Sequence, residues 1–181
     1  MAEFFETLTQ KHIDFIMDQK MFFVATAPKK GRISLSPKGL DCFRIISPTE
    51  VAYLDYIGSG NETAAHLLDD GRITVMFNSY SRNPLIMRLY GHGQSHARGS
   101  ARFTELMPLF EESVGVRQIF TVQIDNLQTS CGYGVPVYEL VEERKTLGKW
   151  AESKGEQALK DYFEEKNRIS IDGLPATGDS S

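Results

Sequence analysis

Residues 53–66 read Tyr53-Leu-Asp-Tyr-Ile-Gly-Ser-Gly-Asn-Glu-Thr63-Ala-Ala-His66, and the way this stretch changes character decides the fold. An alternating apolar run, Val51–Tyr56, predicts a strand. It breaks at Gly58-Ser-Gly-Asn-Glu-Thr63, and Ala64–Asp70 then predicts a helix, with Ala64, Ala65, Leu67 and Leu68 on one apolar face. Gly71 stands at a natural helix stop. A strand delivered through a small polar turn into a helix start offers converging backbone N–H groups, and the helix dipole adds to their attraction for an anion. Gly58 and Gly60 allow close approach, and Gly60 also tolerates a positive φ. Ser59 and Thr63 bring hydroxyls, and Asn61 an amide. Glu62 opposes an anion unless it points away or caps the helix. The same six residues equally describe an ordinary turn and helix cap.

Working outward, the other segments are short, β-rich and mostly joined by tight turns. Met21–Ala27 and Arg32–Ser36 predict a hairpin across Pro28-Lys-Lys-Gly31, with Pro37-Lys-Gly39 ending its second strand. Phe43–Ile46 precedes Val51–Tyr56 across Ser47-Pro-Thr49. Ile73–Asn78 and Leu85–Gly91 are joined by Ser-Tyr-Ser-Arg-Asn-Pro, the second able to run on through Gly93 and Ser95, and Phe120–Leu127 follows. Helices are predicted over Leu8–Lys20, with Thr9 as cap, and over Thr104–Ser113. From Glu142 the chain turns charged and helical, with Trp150, Tyr162 and Phe163 as a face for docking on the barrel. The expected architecture is mainly β (α+β): an antiparallel split β-barrel of six to seven strands with peripheral helices. No internal repeat is visible. The expected organisation is a barrel domain over 1–140, a helical extension packed on it over 141–175, and a disordered tail over 176–181.

Composition limits the function classes. The chain has 181 residues, 41% hydrophobic and 24% charged, enough for a core without staples. A net charge of −4 with no long basic run argues against nucleic-acid binding. Cys42 and Cys131 are isolated, which argues against a disulfide scaffold, and Cys131, with no base nearby, is expected to be a small buried residue. No apolar run approaches the ~20 residues of a membrane span, and the first residues lack an apolar signal core. The expected location is therefore the cytoplasm.

The segments Ser36-Pro-Lys-Gly39, Tyr53 to Thr63 with its helix through His66-Leu-Leu68, Arg72-Ile-Thr-Val-Met-Phe77 and Ile86-Met-Arg-Leu-Tyr-Gly91 occur in an order that resembles the pyridoxamine 5'-phosphate oxidase-related, FMN-binding split-barrel family. The likeness spans about Met21 to Tyr138. Ser130-Cys-Gly-Tyr-Gly-Val-Pro136 and Asn167-Arg-Ile-Ser-Ile-Asp-Gly-Leu-Pro175 resemble a narrower, poorly characterised branch. Pyridoxamine phosphate oxidases proper carry an Arg-Lys pair in the phosphate turn and an Arg- and Trp-containing segment at the C-terminus. Here the turn reads Ser59-Gly-Asn-Glu-Thr63 and no such terminal segment is present. The resemblance implies FMN, held at a homodimer interface, with two-electron chemistry on a small-molecule substrate.

On that reading the cofactor-binding residues are Ser36, Lys38, Asp55, Tyr56, Ser59, Gly60, Asn61, Thr63 and Arg88. Lys38 would neutralise phosphate or sit by the flavin's pyrimidine edge; its alternative is a solvated turn lysine. Ser36 and Asp55 would bond ribityl hydroxyls, and Tyr56 would cover a ring face or simply pack. Arg88 interrupts an apolar strand, so it faces solvent or an interface, where it would reach the partner's flavin. His92 and His96 share one face of a strand but have no third metal ligand nearby, and His66 reads as a satisfied helix residue. No catalytic acid or base is identified. The alternative function is a protein that carries or senses flavin, haem or deazaflavin without turnover.

Overall fold

The computed structural model describes residues 2–178. Eight antiparallel strands are β1 (Glu3–Phe5), β2 (Phe22–Thr26), β3 (Ser34–Lys38), β4 (Phe43–Ser47), β5 (Glu50–Tyr56), β6 (Arg72–Asn78), β7 (Ile86–Ala97) and β8 (Val116–Ser130). The helices are α1 (Gln10–Asp18), α2 (Glu62–Asp69), α3 (Ala101–Leu106) and α4 (Thr146–Lys166). The sheet order is β3-β2-β6-β7-β8-β5-β4, and β1 adds to β8. Although β3 and β5 lie far apart in that order, their side chains meet at Lys38 and Asp55. The sheet thus curls into the expected split barrel.

Alternation drives the curl. Ile73, Val75 and Phe77 of β6 and Met87 and Leu89 of β7 are buried, whereas Thr74, Met76, Ile86, Arg88 and Tyr90 between them are only half-buried. A period of two puts the first set in the core. There Phe22, Phe43, Tyr53, Phe77 and Phe120 form a chain of edge and tilted ring contacts with centroids 5.0–5.8 Å apart. Gly91 sits at a bulge against β8 where a Cβ would lie 2.0 Å from the Gln123 carbonyl oxygen. Only glycine fits that approach.

The structure corrects several element boundaries. β3 contains Pro37 and Lys38, because an edge strand tolerates a missing N–H on its open side. α2 begins at Glu62, with Gly71 at φ +87° closing it. The predicted helix 104–113 begins earlier, at Ala101. Ser100 caps it, accepting a hydrogen bond from the Phe103 N–H at 3.3 Å, and it ends in a short 3-10 turn at Met107–Leu109. β8 is longer than expected at both ends, and β1 was not anticipated; its three residues are too few for a periodic signal. In α4 the backbone breaks at Gly155 (φ 74°). Trp150 and Tyr162 pack on each other, rings perpendicular and 5.4 Å apart, whereas Ala151 and Leu159 are the buried residues of this helix.

The C-terminal tail does not start at 176. Ala176 is buried and donates its N–H to the Arg168 carbonyl at 2.9 Å, and residues 179–181 lie outside the described residues. Cys131 is exposed, against expectation; it follows the last residue of β8, where the sheet no longer covers it. Among the described residues no helix is long and apolar enough to cross a membrane.

Candidate functional site

The turn between β5 and α2 is held from within by a polar network. Arg117, near the start of β8, donates from Nε and Nη2 to Asp55 Oδ2 at 2.9 and 2.7 Å. Its Nη1 donates to the Gly60 carbonyl at 3.0 Å and to Asn167 Oδ1 at 2.7 Å. Asn167, just after α4, donates from Nδ2 to the Gly58 carbonyl at 2.9 Å. Gln118 Nε2 bonds both Asp55 Oδ2 and Asn61 Oδ1 at 2.8 Å, and Asn61 Nδ2 reaches the Asn167 carbonyl at 3.2 Å. The Asp55 and Arg117 side chains are 6% and 7% exposed. A buried ion pair of this kind persists only when its remaining donors and acceptors are met, as here.

Lys38 completes the electrostatics. Its Nζ stands 3.9 Å from Asp55 Oδ1, on the side of the carboxylate that Arg117 leaves free, and its side chain is 24% exposed. Two cations thus share one carboxylate, leaving one positive charge in excess beside the turn. Glu62 stays beside the turn, one carboxylate oxygen 3.2 Å from where a Gly60 Cβ would stand, and is tied down by the Ile171 N–H, which it accepts at 3.2 Å. Residues 167–176 form a compact loop, with Ser170 N–H on the Leu174 carbonyl at 2.8 Å and Ile169 paired to Pro175. Asp172 of this loop accepts the Arg32 N–H at 2.7 Å and pairs with its guanidinium. That contact holds the Asp172 carboxyl below its ordinary value.

The predicted site residues divide accordingly. Lys38, Asp55, Gly60 and Asn61 meet in the network. Asp55 and Asn61 spend their polar atoms on protein partners, so in this structure they shape the turn and do not offer free groups. Neither Gly58 nor Gly60 has a positive φ, so that expected use of glycine is not made. Their value is space: a Cβ on Gly58 would meet only the Tyr56 carbonyl at 3.9 Å, and one on Gly60 only Glu62, at 3.2 Å. Ser59 is exposed, and Thr63, half-buried, approaches the buried Tyr53 hydroxyl at a geometry short of a hydrogen bond.

Ser36 is half-buried on β3 opposite Val24. Arg88 lies on β7, separated from β5 by β8, and its Nη1 donates to Ser130 Oγ at 3.3 Å. Tyr56 lines a cavity of about 400 Å³ together with Leu40, Ile57, Val114, Leu147 and Lys149. Partial burial raises the Tyr56 hydroxyl above its ordinary pKa. Leu40, which lines the cavity, and its neighbour Asp41 adopt φ 68° and 46°, left-handed values that are uncommon for a residue such as leucine.

Other reactive candidates are quiet. Burial pushes the Cys42 thiol up to about 12, which denies it thiolate character. His66 Nδ1 meets Thr26 Oγ1 at 3.0 Å, but Nε2 is buried without a partner, so this helix residue is only half satisfied. His92 is exposed beside Asp125, and His96 Nε2 bonds Thr121 Oγ1 at 2.9 Å. Arg117, Gln118 and Asn167 were not predicted. The one available signal was a charged and an amide side chain, Arg117-Gln118, set inside an apolar strand.

Comparison with known proteins places this geometry. The sequence profile of the family described as Pyridoxamine 5'-phosphate oxidase matches residues 8–131. The chain belongs to the pyridoxamine 5'-phosphate oxidase family. A curated member, the pyridoxamine 5'-phosphate oxidase family protein ustO of Aspergillus flavus, is 38% identical over 195 residues, spanning 97% of this chain and 78% of that one. The family's fold recurs in a solved structure of a putative pyridoxamine 5'-phosphate oxidase from Lactobacillus delbrueckii, at TM-score 0.54 and 14% identity, covering 68% of this chain and 94% of that one. It recurs again in the FAD binding protein of Mycobacterium smegmatis, at TM-score 0.50 and 9% identity over 70% of this chain and 97% of that one.

The residues at the turn fit the flavin phosphate that the family implies. Gly58 is open, Ser59 is exposed and Lys38 lies alongside, while the Glu62 carboxylate, held by the Ile171 N–H, faces Gly60. The turn holds no Arg-Lys pair; the cations beside it are Lys38, on β3, and Arg117, on β8, which meet there at Asp55.

Proposed function

We propose that this chain is an FMN-dependent oxidoreductase acting on a small-molecule substrate, with FMN held at a homodimer interface. The observation that carries the reading is the Gly58–Asn61 turn, whose carbonyls are drawn into the Arg117–Asn167 network while Lys38 supplies charge alongside. Ser59, the backbone donors around Gly60 and the first turn of α2 at Thr63 would receive the phosphate, and Lys38 would neutralise it. Bound FMN would supply hydride or two-electron transfer. Ser36, on the strand that ends in Lys38, would bond the ribityl chain, and Tyr56 would border the ring. The adjoining cavity, about 400 Å³, is of the size that small-molecule pockets reach, and would admit substrate. The half-buried outward face of β6 and β7 would pair with a second copy, bringing Arg88 to the partner's cofactor.

The test is the absorption spectrum of the protein as isolated, with mass identification of what heat releases. A flavin spectrum and FMN mass support the reading; haem, deazaflavin or a colourless protein that takes up no FMN refutes it. Bleaching by a reduced nicotinamide and recovery in air separates an enzyme from a carrier. Lys38→Ala is expected to weaken FMN binding roughly ten- to hundredfold with little change in the apo melt, the effect of losing one charge-assisted hydrogen bond. Light scattering at micromolar concentration is expected to give a dimer.

A further inference from the structure

We infer that the loop 167–176 is a working part of the phosphate turn and that Asn167 is its positioning residue, an inference that rests on the reading above. Asn167 is 0% exposed, and each of its three side-chain or carbonyl groups is spent on the frame of the turn. Nδ2 holds the Gly58 carbonyl, Oδ1 receives Arg117, and the backbone carbonyl receives Asn61. A trans peptide sets its N–H opposite its C=O. Drawing the Gly58 and Gly60 carbonyls inward therefore turns the N–H groups of Ser59 and Asn61 outward, past an unobstructed Gly58 and beside the Glu62 carboxylate that faces Gly60. Among the described residues, the N–H groups of Ser59, Gly60 and Asn61 have no protein acceptor. Three free donors on one turn suit a phosphate.

The loop performs a second task. Its Ile171 N–H occupies the Glu62 carboxylate, the one anionic group at the helix start. Asn167 thus selects the orientation of donors, and the residues after it restrain the opposing charge. Neither effect needs contact between Asn167 and the ligand.

A purely structural role for Asn167 would weaken FMN and riboflavin together. A positioning role changes the ratio of their affinities, because only FMN carries the phosphate. FMN and riboflavin are titrated against the parent, Asn167→Ala and Asn167→Asp, with thermal melts of each apo form. The parent is expected to prefer FMN strongly. Asn167→Ala is expected to reduce that preference by about tenfold or more. Asn167→Asp keeps the acceptor for Arg117 and loses the donor to Gly58, so an intermediate preference is expected. An Asn167→Ala protein that folds and keeps the parent's ratio overturns the inference. If Asn167→Ala does not fold, the Asp variant decides, and an unchanged ratio overturns it there. A parent with no preference for FMN refutes the functional reading itself, and the inference falls with it. A parent that prefers FMN, beside variants that match it, refutes the inference alone.

Discussion

The barrel interior and the network at its mouth are equally buried but are held together differently. Inside, Val24, Val75, Leu89, Ile119 and Phe120 pack by shape, and none depends on one particular neighbour. At the mouth, Asp55, Arg117, Gln118, Asn61 and Asn167 are each satisfied by one or two named atoms. Apolar packing degrades in proportion to what is removed, whereas removing one member of a buried charged network strands the rest. The interior should therefore be forgiving and the mouth brittle.

The largest effect should come from Arg117→Ala, which leaves the Asp55 carboxylate buried with only Gln118 and a more distant Lys38. A loss of about 3–5 kcal/mol is expected, and at this chain length a fall in Tm of roughly 6–20 °C. Replacing the pair together, Asp55→Leu with Arg117→Met, should recover much of that loss, since no charge is then left unpaired between them. If the double variant is as unstable as the single, brittleness is not electrostatic in origin. In the interior, Ile119→Val removes one methylene from a fully buried residue and should cost about 0.5–1.5 kcal/mol by urea titration. A larger loss would show that the interior is as exacting as the mouth.

A smaller change is expected at Tyr53, where the interior carries a flaw of its own. Its hydroxyl is buried without a hydrogen-bond partner, and burial raises its pKa well above the ordinary value. Tyr53→Phe removes an unpaid desolvation cost, so stability should hold or rise by up to about 1 kcal/mol. A loss would mean that the hydroxyl is bonded in solution. The smallest effect is on pH dependence. Burial, with Arg102 adding to it, lowers the His96 pKa below 6.5. The unfolded chain then binds a proton that the folded one refuses, so stability is complete above about pH 6.5 and falls as pH drops toward the folded value. His12, also lowered by burial, acts in the same direction. Melts between pH 7.5 and 5 should show a shallower fall for His96→Gln than for the parent.

The same contrast decides how much could be read from the sequence. Period-two alternation in Ile73–Phe77 and Met87–Leu89 reports a face, and a face is what packs, so most strands were legible, whereas the non-consecutive pairings β2–β6 and β5–β8 were not. The break at Gly58–Thr63 located the candidate turn for the same reason, as a local change of pattern. What stabilises that turn is not local. Arg117 and Asn167 lie 57 and 109 positions from the carbonyls they hold, and nothing in the sequence around either one points to the turn. Strand β8 was recognised only from Phe120, because Val116-Arg-Gln-Ile lacks the alternation that a half-buried strand shows. Pairing both faces of its first half against the core and the network removes that signal.

One more consequence follows from the span of the Asn61–Asn167 bond, which joins residues 106 apart. During synthesis the chain grows at about 5–20 residues per second, so roughly 5 to 20 s separate the appearance of the turn from the appearance of the residue that completes it. Through that interval the barrel strands up to β8 can pair, while the Gly58 carbonyl and part of the Arg117 guanidinium await their partner. A nascent chain halted before Asn167 would hold a formed sheet and an unset mouth. The ability to take up an anion at this turn would then report that translation has passed Asn167, not merely that the barrel has folded.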